Sequence, residues 1–221
     1  MKVDVVQKVL KANDDIAKLV RSRFDEHHVF CINMISAPGS GKTSLIESAL
    51  KHGLSGVRLG VIEGDPETTR DAERIAKYEI PVVQINTAGG CHLESQLVLQ
   101  ALDKLPLSEI DLLIIENVGN LVCPVGFDLG ERARVAVVSV TEGHDKPFKY
   151  PKLFQTANLV ILNKVDLLPH VPFDVDEFTQ GIQAIQPGVP ILHVSCTRGD
   201  GVGAWVQWLI ERISAGTKNE M

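Results

Sequence analysis

No apolar run in this sequence approaches the roughly 18 residues that a bilayer-spanning helix needs, so a membrane protein is not expected. The first thirty residues alternate charged and apolar side chains, unlike a secretory leader, and the expected compartment is the cytoplasm. Cysteine is scarce, four in 221 residues. In a reducing compartment such cysteines are buried, catalytic or metal-binding rather than disulfide-bonded. A basic surplus is missing too: 22 Lys and Arg against 28 Asp and Glu give a formal net charge of -6, and no basic stripe interrupts the chain, so no nucleic-acid partner is expected. Repeats, low-complexity tracts and linkers are also lacking, and with them any reason to divide the chain.

What is present is the composition of a globular protein, 44% hydrophobic and 23% charged, long enough for one domain with a sizeable core. Apolar residues Val5, Val6, Val9, Leu10, Ile16, Leu19, Val20 and Phe24 recur at threes and fours, predicting an N-terminal amphipathic helix over about 4–26. It reads as a cover on the sheet or as a docking helix. Strands are expected at Val29–Ile35, Val57–Ile62, Pro81–Ile85, Asp111–Ile115, Arg134–Val140, Leu159–Leu162 and Ile191–Val194. Helices are expected at Ser44–Leu50, Glu67–Tyr78, Leu93–Leu105, Val175–Ile185 and Val202–Ile213. Near-continuous apolar strands alternating with helices specify an α/β fold, a mostly parallel sheet covered on both faces. Its ligands belong at the carboxyl ends of the strands.

One such end carries Ser36-Ala37-Pro38-Gly39-Ser40-Gly41-Lys42-Thr43, followed by Ser44 and a helical stretch. This is the phosphate-loop pattern GxxxxGK followed by Ser or Thr, with Ser36 in place of the first Gly. Pro38, Gly39, Ser40 and Gly41 shape an anion nest of backbone N–H groups, Lys42 faces the β- and γ-phosphates, and Thr43 offers a hydroxyl to Mg2+. Asn163-Lys164-Val165-Asp166, at the end of a late strand, is the guanine-reading NKxD tetrad. The Asp166 carboxylate accepts from guanine N1–H and the 2-amino group, the Lys164 stem lies along the base, and Asn163 buttresses the loop. Adenine lacks those donors, and a site of this kind discriminates by roughly four orders of magnitude. Ser195 and Cys196, after the last strand, offer backbone N–H to guanine O6.

Glu116-Asn117-Val118-Gly119 reads as the switch pattern DxxG with Glu for Asp. Glu116 holds Mg2+ directly or through water, and the Gly119 N–H senses the γ-phosphate. Asp65 and Asp71 occupy the first-switch region; one of them completes the Mg2+ sphere or orients water, and Asp71 is favoured as the Mg2+ ligand, though the sequence alone leaves both open. Cys91-His92 and Cys123 carry thiolate and imidazole ligands suited to Ni2+ or Zn2+. Three ligands leave a four-coordinate ion short, and a second copy across a two-fold axis would complete the set. From spacing alone, metal binding and an incidental Cys-His pair both remain open.

The segments at 36–43, 63–65, 71–75, 90–93, 116–124, 141–147, 149–151 and 163–167 together resemble the hydrogenase nickel-incorporation GTPase family, the Gly-Cys-His-Leu and Val-Cys-Pro pieces being the most specific. That resemblance implies a SIMIBI-type P-loop NTPase of three layers that binds GTP and Mg2+ and dimerises with nucleotide bound. It implies a metallochaperone delivering nickel to the large-subunit precursor of a nickel-iron hydrogenase alongside a smaller nickel-binding accessory protein. It further implies Ni2+ or Zn2+ at a dimer-interface site on Cys91, His92 and Cys123, and makes the Ser36 start a family trait. No Cys-rich or His-rich stretch precedes the first strand, so nickel storage there is not expected. The alternatives are a urease-type nickel accessory GTPase, a P-loop kinase or ligase, and a non-catalytic metal carrier. No arginine finger in cis is identifiable, and slow turnover follows.

Overall fold

The computed structural model describes residues 5–54, 56–65 and 70–218. Helix α1 (Val5–Glu26) leads into β1 (Phe30–Ser36), then α2 (Lys42–His52), β2 (Leu59–Asp65), α3 (Arg70–Ala76) and β3 (Val82–Asn86). Helix α4 (Ser95–Leu102), β4 (Leu112–Glu116) and β5 (Ala133–Ser139) follow, then the short helices α5 (Lys146–Lys149) and α6 (Pro151–Thr156). The chain closes with β6 (Leu159–Asn163), α7 (Val175–Ile185), β7 (Ile191–Val194) and α8 (Val202–Lys218). The strands form one sheet in the order β3-β2-β4-β1-β5-β6-β7, every pair parallel.

Both faces of that sheet are covered, which is why its strands are apolar on every side chain rather than on alternate ones. On one face Leu45, Ile46 and Ala49 of α2 and Trp205 and Leu209 of α8 pack on Ile32, Met34, Ile114 and Val135. On the other, Val20 and Phe24 of α1 and Val98 and Leu102 of α4 cover Cys31, Ile62, Leu113 and Ile115. Phe154 of α6 and Phe178 and Ile182 of α7 cover Ala136, Val138, Val160 and Leu162 on that same side. Helix α1 acts as a cover: buried Asn13 donates to Asp128 O (2.8 Å), and its Oδ1 accepts from Ser95 N (2.9 Å) at the start of α4.

The expected strand ends fall short. β2 runs to Asp65 rather than Ile62, β3 to Asn86 rather than Ile85, β4 to Glu116 rather than Ile115, and β6 to Asn163 rather than Leu162. In each case the polar residue after the apolar run stays in the parallel ladder. β5 stops at Ser139 instead of Val140, because Ser139 and Glu142 form a reciprocal capping box on the turn 140–142. Lys146 and Lys149, which lie in no element expected from the sequence, sit on the short helix α5, with Pro147 and Pro151 in the first turns of α5 and α6. Helix α4 is shorter than expected and α8 longer. The first residues expected for α3 fall partly in 66–69, outside the described residues.

Candidate nucleotide and metal site

The phosphate loop joins β1 to α2, and Ser36 is the fully buried last residue of β1. Extended backbone needs no glycine, so a side chain is allowed there, and it is used. Ser36 Oγ accepts from Lys42 Nζ (3.1 Å) and donates to Ala37 O (2.7 Å). Gly41 has φ 100, and a Cβ on it would lie 2.4 Å from Asn163 Nδ2, so glycine is required twice over. That Asn163 amide donates to Ser40 O (2.9 Å), and Lys164 Nζ donates to Gly39 O (2.7 Å). The two ends of a nucleotide site, far apart in sequence, are thereby braced against each other.

Beyond them, Ser195 Oγ donates to Asp166 Oδ1 (2.7 Å) and accepts from Arg198 N (3.1 Å), while Cys196 Sγ lies 3.6 Å from Asn163 Oδ1. Serine thus fixes the carboxylate by one oxygen. Glu142 joins the site from the turn after β5: its Oε1 accepts from Ser139 N (2.8 Å) and lies 2.7 Å from Ser40 Oγ. Lys146 Nζ donates to Glu142 O (2.6 Å), Lys149 pairs with Asp145, and His144 stands apart, edge-on to the Phe173 ring.

On the other side of Lys42 two acidic side chains are buried in neighbouring strands. Thr43 Oγ1 donates to Glu116 Oε1 (2.9 Å), and Lys42 Nζ lies 3.8 Å from the same oxygen. Burial pushes the Glu116 carboxyl up, against the opposing pull of Lys42 and the Thr43 hydroxyl. Glu63 pairs with Glu116 in the β2–β4 register and is only 2% exposed. Burial first, then the charges of Glu116, Asp71 and Asp65, push its carboxyl up to about 8. Carboxylate oxygens of Glu63, Asp65 and Asp71 lie within 4.8 Å of one another. Glu63 Oε2 and Glu116 Oε2 are buried without a hydrogen-bond partner. Orphaned, crowded carboxylate oxygens beside a hydroxyl fit a hard divalent cation such as Mg2+.

Arg74 reaches across this edge. It donates to Asp71 Oδ1 (2.9 Å), Glu47 Oε2 (2.6 Å) and Ser44 Oγ (3.2 Å), so Asp71 is held by a cation while facing the cluster. Sequence reading passed over Glu63; the available signal was an acid inside an otherwise apolar strand.

The thiol and imidazole side chains also converge. Ligand atoms of Cys91, His92 and Cys123 lie within 4.8 Å of one another, with Cys91 Sγ 3.4 Å from His92 Nδ1. The His92 ring stacks on Phe127, centroids 4.0 Å apart. Burial lowers the His92 pKa, favouring the neutral form that binds metals. The neighbouring Cys91 thiol and burial raise that of Cys123. Asn120 Nδ2 donates to Cys123 Sγ (3.5 Å). The cluster adjoins the nucleotide side through the loop 116–120: a Cβ on Gly119 would meet Pro38 Cα at 2.8 Å, so this loop presses on the phosphate loop backbone to backbone.

Comparison with known proteins points the same way as this geometry. Residues 31–193 match the family described as CobW/HypB/UreG, nucleotide-binding domain. The hydrogenase maturation factor HypB of Escherichia coli strain K12 is 47% identical over 201 residues, covering 91% of this chain and 69% of that protein. The crystal structure of HypB from Helicobacter pylori in complex with nickel superposes with a TM-score of 0.88 at 35% identity, covering 92% of this chain and 96% of that one. The signal recognition particle receptor FtsY of Elizabethkingia anophelis shares the fold alone, at TM-score 0.53 and 16% identity over 82% of this chain and 65% of that one. The chain therefore belongs to the CobW/HypB/UreG family of P-loop GTPases, on its HypB hydrogenase-maturation branch.

Proposed function

We propose that this chain is a slow GTPase metallochaperone that dimerises with nucleotide bound and releases nickel toward a hydrogenase large-subunit precursor. The observation that carries the reading is the loop 116–120. Its first residue touches Thr43 through Glu116 Oε1, Gly119 abuts Pro38, and Asn120 holds Cys123. A nucleotide-dependent shift of Gly119 has a short covalent path to a metal ligand.

GTP is the substrate, held by residues 38–44 at its phosphates and by Asn163, Lys164, Asp166, Ser195 and Cys196 at its base. Thr43, Glu116 and one of Asp65 or Asp71 would hold Mg2+, with Glu63 behind them. When bound, that ion supplies charge neutralisation at the phosphates. The chain's own contribution is positioning: Lys42 stabilises developing phosphate charge, and the acidic residues orient water for in-line attack. Nickel is cargo, bound by Cys91, His92 and Cys123, with a second copy of the chain completing its coordination. The whole of 1–221 acts as one domain, working in the cytoplasm with a smaller nickel-binding accessory protein. Among the described residues no helix is long and apolar enough to cross a membrane.

Calorimetric titration of GDP and ADP with Mg2+, followed by phosphate release from GTP, tests this. Guanine preference of roughly a thousandfold or more is expected, with turnover far below one per second without partners. Equal affinity for the two nucleotides would favour a kinase or ligase instead. A Glu116→Ala protein that binds GTP and nickel yet still supports hydrogenase maturation would favour a non-catalytic carrier.

A further inference from the structure

The metal cluster is built from two arms that belong to different parts of the chain. Cys91 and His92 lie between β3 and α4, and Cys123 follows β4. Each arm is held by an asparagine of the same loop, and the two asparagines are anchored very differently.

Asn117 is 1% exposed and tied to the sheet. Its N–H donates to Met34 O on β1 (3.1 Å), and its Nδ2 donates to Asn33 Oδ1 on the same strand (3.2 Å). Its Oδ1 accepts from Val118 N (2.9 Å) and from Leu93 N (3.2 Å), the residue directly after Cys91-His92. Asn33 is itself fully buried and donates to Glu131 Oε1 (3.4 Å). Moving Asn117 would orphan buried donors and acceptors at once, so the Cys91–His92 arm is referenced to the sheet.

Asn120 is half-buried, and its side chain bonds within its own turn. Oδ1 accepts from Val122 N (2.7 Å) and Cys123 N (3.1 Å), and Nδ2 donates to Cys123 Sγ (3.5 Å). The exposed neighbour Val122 is 64% accessible, so Leu121 alone packs this turn into the core. Segment 120–123 is thus a turn closed by one side chain: it follows Gly119, which rests against the Pro38 backbone, and leads through Cys123 into the helical turn Cys123–Gly126.

We propose that Asn120 is a positioning residue that transmits displacement of Gly119 at the phosphate loop to Cys123, while Asn117 keeps Cys91 and His92 fixed. This rests on the reading of a nickel site switched by GTP. Nucleotide state then changes the separation of Cys123 from the other two ligands, and with it nickel affinity, without disturbing the sheet. Neither asparagine is asked to touch metal or nucleotide.

The test measures nickel dissociation constants by competition with a chromophoric chelator, in GDP and in a non-hydrolysable GTP analogue, for the wild-type chain, Asn120→Ala and Asn120→Asp. The wild type is expected to show a ratio between the two states of about tenfold, a common size for coupled sites. Asn120→Ala, which lacks all three contacts, should bring the ratio to within about twofold of unity while GDP affinity stays put. Asn120→Asp keeps the acceptor that forms the turn, so it should keep the wild-type ratio even where its absolute affinities move. An Asn120→Ala ratio equal to the wild type overturns the role of Asn120 and leaves the switched site standing. Equal loss of nickel affinity in both states makes Asn120 a simple prop for Cys123 and also overturns it. A wild-type ratio of one instead removes the underlying reading.

Discussion

Glu63→Gln isolates the acidic core of the site, because glutamine keeps the shape of the side chain and removes its titration. Glu63 is buried beside Glu116, and its carboxyl is raised from 4.5 to about 8, by burial first and by the acidic neighbours next. A folded-state pKa above the unfolded one means that the folded chain binds this proton more tightly. Stability from the group is therefore complete below 4.5 and is lost as pH rises through about 8. At about 1.4 kcal/mol per pH unit, ionisation across the whole window costs up to about 5 kcal/mol, and the part falling between pH 6 and pH 8 is about 2 kcal/mol. Urea unfolding of both proteins at these two pH values, without Mg2+ or nucleotide, reads the difference directly. The Glu63→Gln protein should gain about 2 kcal/mol relative to wild type on going from pH 6 to pH 8. Adding Mg2+ and GTP should close that gap, since a bound cation offsets the carboxylate charge only in the wild type. A stability difference independent of pH would mean that Glu63 ionises normally, and the argument for a cation-shaped acidic core would fail.

Three further outcomes follow from single contacts. Gly41→Ala drives a methyl group against Asn163 Nδ2 at a left-handed position, so GDP affinity by calorimetry should fall by at least about tenfold, equivalent to about 1.4 kcal/mol. Asp166→Ala removes the acceptor proposed for guanine and the partner of Ser195, so the preference for GTP over ATP in competition binding should drop by roughly a thousandfold. Cys91→Ala should abolish stoichiometric nickel binding by equilibrium dialysis while leaving metal-free GTP turnover within about twofold, because Cys91 lies between β3 and α4, away in sequence from the phosphate loop, and its side chain meets His92.

The layers and sheet type were legible because a parallel sheet covered on both faces writes itself as apolar runs, as Leu112–Ile115 and Leu159–Leu162 do. Strand ends were misjudged for the same reason. Glu63, Asn86, Glu116 and Asn163 interrupt hydrophobicity but not the ladder, because each keeps its place in the parallel register whatever its side chain. The motif residues were legible from spacing, Lys42 and Asp166 among them. The asparagines were not: Asn117 and Asn120 act through backbone groups of Leu93, Val122 and Cys123, and no spacing rule records which N–H a distant carboxamide meets. Ser36 shows the reverse case, a departure from the motif whose reason appears once its hydroxyl is seen holding Lys42. The helices at Lys146–Lys149 and Pro151–Thr156 escaped because single turns leave no hydrophobic period to detect.

If nickel affinity depends on nucleotide state as proposed, that coupling is reciprocal. Whatever factor separates nickel affinities in the GDP and GTP-analogue states must also separate nucleotide preferences with and without nickel. The decisive measurement is therefore the ratio of GTP-analogue to GDP affinity, by fluorescence competition, for the wild-type chain before and after nickel loading. Nickel should change this ratio by about tenfold, matching the factor from metal titration. A ratio that nickel leaves unchanged would contradict it.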